Sequence, residues 1–219
     1  MKFYLEDICK KDLIIEKYYP KRTLITADVD IYCSYQEEGN CENVDGSYDK
    51  FLEKVKPNVI IYTAKIDHVP RMRHFPSKNM SKDTGYKAVL KTLLHIQKFT
   101  DRLIIIQPSP VMPPKNGYQH PLTVAHLLFT HKNLDTFDIP IEYYRKLIYP
   151  GWMRFQEAAK QCFKCTLIET EKIFCNEKFC PVIDAKTKLA RYCDYGHITP
   201  RDSLKLIPDL VHAIDQYTI

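Results

Sequence analysis

Two uninterrupted apolar runs, Val59-Ile60-Ile61-Tyr62-Thr63 and Leu103-Ile104-Ile105-Ile106-Gln107, stand out from an otherwise mixed chain. Runs without alternation predict strands covered on both faces, the situation in a parallel sheet. Thr23 to Val29 and Cys165 to Glu169 read as two further, shorter strands. Between them the period changes to that of helices. Residues 5 to 18 form a loosely amphipathic pattern that ends before Pro20, and Tyr48 to Lys56 places Phe51, Leu52 and Val55 on one face before Pro57 stops it. Asp83 or Thr84 is positioned to cap a helix running to about Phe99, with Tyr86, Val89, Leu90, Leu93, Leu94 and Ile96 as its apolar stripe. Strand, helix, strand, helix, strand is the order of a doubly wound α/β domain, whose ligands bind beyond the carboxyl ends of the strands.

The remainder is less regular. Lys65 to Lys82 is polar and reads as a loop, and residues 108 to 150 hold seven of the fourteen prolines, so an irregular excursion is expected there, helical only around Thr123 to Thr130. Trp152 to Cys162 reads as a helix. Pro181 to Asp184 and Lys188 to Tyr192 suggest a small hairpin that delivers the chain to Asp194. Thr199, Pro200 and Asp202 form a helix start: N-cap, first helical position and capping-box carboxylate. The final helix carries Leu204, Ile207, Leu210, Val211 and Ile214, and Pro208 must kink or split it.

Length and composition narrow the picture. With 219 residues and 45% hydrophobic content, one domain over 1–219 is the expectation. Basic and acidic residues, 32 against 27, are interspersed, so no basic stripe points to nucleic acid. No run approaches the roughly 18 to 20 apolar residues of a membrane span, and the opening Met1 to Asp7 is not a signal peptide. Six glycines make neither a GxGxxG nor a P-loop pattern, so no nucleotide cofactor is expected.

The eight cysteines modify that reading. Cys175 and Cys180 bracket a short turn and Cys33 and Cys41 a polar loop, spacings that suggest disulfides and an oxidising compartment. Without a leader, such a compartment implies an incomplete N-terminus. Cys162-Phe163-Lys164-Cys165 has metal-type spacing but no second ligand pair, and no metal is expected. One Asn-x-Ser sequon, Asn79-Met80-Ser81, agrees with secretion.

The candidate chemistry lies in Asp194-Tyr195-Gly196-His197, a turn directly before a helix start. An aspartate there can fix the tautomer of a reachable histidine and stabilise its charged form; the alternative is an ordinary structural turn. Asp67 and His68 follow another strand end and are candidate cleft residues, or with Asp194 and His197 a mixed metal set. Tyr143, Tyr144 and Tyr149, near Trp152, either line a groove or pack the excursion onto the body.

These blocks resemble the SGNH/GDSL hydrolase superfamily. More narrowly, Lys164 to Cys175, Cys180 to Asp184 and Asp194 to Pro200, with Pro57 to Tyr62 and Phe99 to Pro108 as middle strands, look like the SGNH domain of nematode-type membrane O-acyltransferases. The resemblance implies a flavodoxin-like three-layer α/β/α sandwich with a mostly parallel sheet. It makes His197 and Asp194 the base and orienting acid of a serine triad, with an acyl ester or acyl acceptor as small-molecule partner. It further implies an acyltransferase membrane domain upstream and a place on the extracytoplasmic side of a membrane or in the secretory lumen. The family's Gly-Asp-Ser or Gly-Asn-Ser turn is absent: Ser34, Ser47, Ser77, Ser81, Ser109 and Ser203 occupy other contexts. Ala64-Lys65-Ile66-Asp67 replaces the Gly-x-Asn-Asp block. The first strand and its serine are therefore expected to be missing, leaving either an inactive acyl-transfer domain or a non-catalytic binding or structural one.

Overall fold

The computed structural model describes residues 24–28, 47–63, 66, 69–111, 121–130, 137–194 and 196–216. The N-terminal helix expected over residues 5 to 18, the Cys33–Cys41 pair and the candidates Asp67 and His68 lie outside them. Four strands, β1 (Leu24–Asp28), β2 (Val59–Thr63), β3 (Arg102–Ile106) and β5 (Cys165–Ile168), form one parallel sheet in the order β1-β2-β3-β5. β1 pairs with β2 along its whole length, Leu24 opposite Val59 through Asp28 opposite Thr63, so no strand lies between them. The apolar runs behave as their pattern predicts. Val59 to Tyr62 and all of β3 are buried.

Helices α1 (Ser47–Val55), α2 (Thr84–Ile96) and α4 (Ile141–Ala159) flank the sheet in a mixed α/β arrangement, the layered sandwich that the resemblance implies. In α1 only part of the expected face is inside: Leu52 is fully buried, whereas Phe51 is exposed. α2 begins as its sequence predicts, with Asp83 accepting from the Tyr86 amide at 2.7 Å. α4 differs from expectation. It starts at Ile141 rather than Trp152 and runs through Pro150. Proline forgoes the one helical hydrogen bond that its N–H would have made to the Lys146 carbonyl, but Ile148, Trp152 and Phe155 bury the helix on either side of it, and the Pro150 carbonyl itself accepts from Arg154 Nη1 at 2.8 Å. Tyr144 and Trp152 are therefore packing residues, not groove walls. The Trp152 and Phe155 rings stack at 6.0 Å, and Phe155 meets Tyr62 of β2 at 6.2 Å.

The described residues fall into two compact units, one drawn from Met1–Pro108, Ile148–Ile168 and His212–Ile219, the other from Ser109–Leu147 and Glu169–Val211. The first holds the parallel sheet. The second holds α3 (Pro121–Phe129), the short helix α5 (Thr170–Phe174) and a two-residue antiparallel pairing of β4 (Ile139–Pro140) with β6 (Phe179–Cys180). Neither α5 nor the β4–β6 pairing was anticipated, because elements this short have no period to read. The C-terminal helix splits as Pro208 requires: α6 (Pro200–Ser203), a 3₁₀ turn at Leu204–Leu206, then α7 (Ile207–Asp215).

Cys175 and Cys180 are joined, as the turn between them suggests. Asn176 Oδ1 holds that turn, accepting from the amides of Lys178 and Phe179 at 2.8 Å each. Cys162 and Cys165 are also joined, so the metal-type spacing is in fact a disulfide at the entry to β5. Closing so short a loop removes little chain entropy, and Cys175→Ser should cost about 2 kcal/mol, read as a lower urea midpoint with an unchanged slope.

Candidate active site

The expected hairpin is present. Ile183 bridges Ala190, and the Arg191 amide donates to the Val182 carbonyl at 2.9 Å. Asp184 fastens its tip, with Oδ1 accepting from the Thr187 amide at 2.8 Å and the Thr187 hydroxyl at 2.9 Å. Those hydrogen bonds from the Thr187 amide and hydroxyl, together with nearby Lys205 and Arg191, pull the Asp184 carboxyl down to about 2.

Beyond Arg191 the chain makes a tight excursion and returns. Tyr192 bridges Ile198, the Thr199 amide donates to the Arg191 carbonyl at 2.7 Å, and the Cys193 amide donates to the His197 carbonyl at 2.7 Å. Strung across this neck are Asp194 and His197. Asp194 Oδ1 accepts from the amides of Gly196 at 2.8 Å and His197 at 2.7 Å, which fixes the carboxylate plane. Oδ2 is 2.5 Å from His197 Nδ1.

Partial burial disfavours the charged carboxylate, but the amide hydrogen bonds and the imidazole outweigh it and hold Asp194 below its ordinary value. An ionised carboxylate can only accept, so Nδ1 carries the proton and Nε2 is left as the acceptor. The His197 side chain is 64% exposed and that of Asp194 28%. A fixed carboxylate behind a solvent-reachable imidazole can take a proton from a hydroxyl at Nε2 and stabilise the imidazolium that results.

What fastens this loop was only half legible. Thr199 caps α6, its hydroxyl accepting from the Asp202 amide at 3.4 Å. The expected reciprocal bond of a capping box is not made, because the Thr199 amide is committed to Arg191. Instead Asp202 is fully buried and its carboxylate accepts from Lys205 Nζ at 2.5 Å, Arg201 Nη2 at 2.8 Å and the Thr199 hydroxyl at 3.0 Å. Arg191 stands between Asp202 and Asp184, at 3.7 and 3.8 Å. Burial opposes the charge on Asp202, yet Lys205 and Arg201 keep its carboxyl below the ordinary range. Three basic residues at 191, 201 and 205 around Asp202 were the available signal, readable only once hairpin and helix are known to pack together.

A separate groove of about 610 Å³, lined by Lys56, Asn58, Lys98, Asp101 and Lys164 among others, opens at the amino ends of the strands. Its polar groups engage one another, Asn58 with Asp101 at 2.8 Å and Lys164 with the Thr100 carbonyl at 2.7 Å. It lies at the end of the sheet away from where α/β folds bind substrates. Among the described residues no group of three or more His, Cys, Asp or Glu side chains could hold a metal ion, and no helix is long and apolar enough to cross a membrane.

Comparison with known proteins agrees with the fold. A family model described as "SGNH domain (fused to AT3 domains)" matches residues 18–211. Among solved structures, the periplasmic domain of a lipopolysaccharide acetyltransferase from Salmonella ser. Paratyphi A is similar in fold, with a TM-score of 0.55 at 16% identity, covering 96% of this chain and 87% of that one. No curated protein matches the sequence.

Proposed function

This chain belongs to the SGNH domain family, the kind fused to acyltransferase domains, and from that premise we propose that it serves an O-acyltransferase or esterase system on the extracytoplasmic side of a membrane. In this reading it retains the proton-transfer couple of acyl-ester chemistry without the serine that the couple would serve. The observation that carries it is the Asp194–His197 geometry: a carboxylate fixed by two backbone amides, a 2.5 Å contact to Nδ1, and an exposed imidazole. The placement is supported by the two disulfides, which persist in oxidising compartments, and by the periplasmic source of the structural neighbour.

The first strand, expected from the sequence to be missing, corresponds in this reading to β1, and the serine's absence is supported by the residues that follow it. β1 lies directly against β2 and ends at Asp28, followed in sequence by Val29-Asp30-Ile31. A Gly-Asp-Ser turn at this junction would put its hydroxyl where this chain has Val29 in Ala27-Asp28-Val29. Ser203, near the couple in sequence, donates its hydroxyl to the Pro200 carbonyl at 2.6 Å. Among the described residues no hydroxyl is paired with His197, and without one the triad logic leaves at most a residual rate.

The consequence is that the isolated chain binds or supports the acyl-transfer machinery rather than turning over esters itself. An aryl acetate assay tests this: the chain and its His197→Ala variant are expected to match buffer alike. A rate above buffer that disappears with His197→Ala would show a working nucleophile and overturn the non-catalytic reading.

A further inference from the structure

The loop before α2 carries the sequence Asn79-Met80-Ser81, and its geometry points to a modification site: we propose that Asn79 is N-glycosylated, with the saccharide supplied by a polyprenyl-pyrophosphate-linked oligosaccharide. This inference rests on the extracytoplasmic placement above and adds a covalent site to it. A glycan acceptor must be an Asn-x-Ser/Thr on the surface, in a backbone whose neighbours tolerate a bulky polar group.

Asn79 meets each requirement. Ser77, Lys78, Asn79, Ser81 and Lys82 are all exposed. Asn79 Oδ1 accepts from the Ser81 amide at 3.1 Å and from the Ser81 hydroxyl at 2.7 Å. The Ser81 amide can only donate, so the oxygen end of the Asn79 side chain is identified and Nδ2 is the outward end. The acceptor hydroxyl is therefore already paired with the amide it must accompany, across a single 3₁₀ turn, Met80–Lys82.

The loop is also held at both flanks. Arg154 Nη1 donates to the His74 carbonyl at 2.8 Å, and Asp83 accepts from the Ser77 amide at 3.1 Å. A saccharide on Asn79 can thus be carried without disturbing the buried side. The same loop exposes Phe75 at 66%, an apolar surface next to which a saccharide would be a useful screen. The two disulfides that support that placement also fit the compartment in which such transfer occurs.

In the transfer, Asn79 Nδ2 attacks the anomeric carbon of the lipid-linked sugar. An N–C bond forms, the C–O bond to the pyrophosphate breaks, the pyrophosphate leaves with the electron pair, and the amide nitrogen gives up one proton. No oxidant or reductant is needed. Within these 219 residues there is one Asn-x-Ser/Thr, so a single glycan is expected on this domain.

The test is to express the complete gene product in cultured animal cells, treat it with peptide N-glycosidase in heavy-oxygen water, and map peptides and cysteine oxidation together. The expected result is labelled aspartate at position 79 and a mobility shift on enzyme treatment that is one glycan smaller in both Asn79→Gln and Ser81→Ala and of full size in Ser81→Thr. Bare Asn79 in molecules whose Cys162–Cys165 and Cys175–Cys180 bonds are formed would overturn the site while leaving the placement intact. Bare Asn79 together with reduced cysteines would overturn both.

Discussion

Asp83→Ala should destabilise the fold by about 3–5 kcal/mol, the range for removing one partner of a buried ion pair. The side chains of Arg154 and Asp83 are 4% and 8% exposed, and the guanidinium meets the carboxylate as a two-pronged fork, Nε to Oδ1 at 2.7 Å and Nη2 to Oδ2 at 2.8 Å. Arg154 Nη1 also holds the His74 and Pro150 carbonyls. One residue thereby ties the loop before α2 to the proline turn of α4. Without Asp83, a permanently charged group is left buried with only carbonyls to face. The α2 cap at Tyr86 is lost as well, worth about 1 kcal/mol.

Two further measurements separate these contributions. Asp83→Asn keeps the acceptor for the Tyr86 amide and should lose less than Asp83→Ala. Adding Arg154→Met to Asp83→Asn should cost less than the two single changes summed, because the second substitution removes the stranded charge. Additive costs in urea titrations would show that the pair is not coupled. Gly85 belongs to the same arrangement: a Cβ there would sit 2.7 Å from Arg154 Nε, so glycine gives the fork its room.

This pair also shows how far the sequence could be read. Asp83 was legible as a helix cap because an acidic residue preceded a clean apolar stripe, a local signal. Its partner was not, since Arg154 is 71 residues away in sequence and reads as one more surface base on a helix. The sheet was legible for the opposite reason: Ile60 to Tyr62 and Leu103 to Ile106 are apolar on every residue, which only burial on both faces explains.

Pro150 misled because a proline usually ends a helix, and here the helix runs through it with Ile148, Trp152 and Phe155 buried on either side. Cys162 and Cys165 show the same limit in another form. Their spacing suits a metal or a bond between them, and only the turn at the entry to β5 decides. At the candidate site the couple itself was visible as Asp-x-x-His before a cap, whereas the charged cluster that secures it depends on two elements meeting.

Asp202→Ala tests that cluster and should cost about 2–3 kcal/mol, less than Asp83→Ala because Arg201 and Lys205 are 37% and 35% exposed and can turn to water. Arg191 cannot do so as easily. Its side chain is 16% exposed, and its Nε is buried without a hydrogen-bond partner, 3.7 Å from the carboxylate that would be removed. The damage should spread to the neck of the Asp194–His197 loop, since Arg191 and Thr199 form it and both lean on Asp202. Faster hydrogen exchange at the Gly196 and His197 amides, with α2 unaffected, is the expected signature.

Acid gives an independent reading of the same group. Asp202 ionises below its ordinary 3.8 in the folded protein, so its stabilisation is fully present above that pH and is lost as pH falls through the lowered folded value. Asp184 acts in the same direction, over the interval from 3.8 down to about 2. Wild-type protein should therefore lose thermal stability steeply below pH 3.8, and Asp202→Asn, already lacking one titrating carboxylate, should show a flatter acid limb. Parallel limbs in the two proteins would mean that Asp202 is not ionised in the folded state, and the cationic cluster could not then be what secures the histidine loop.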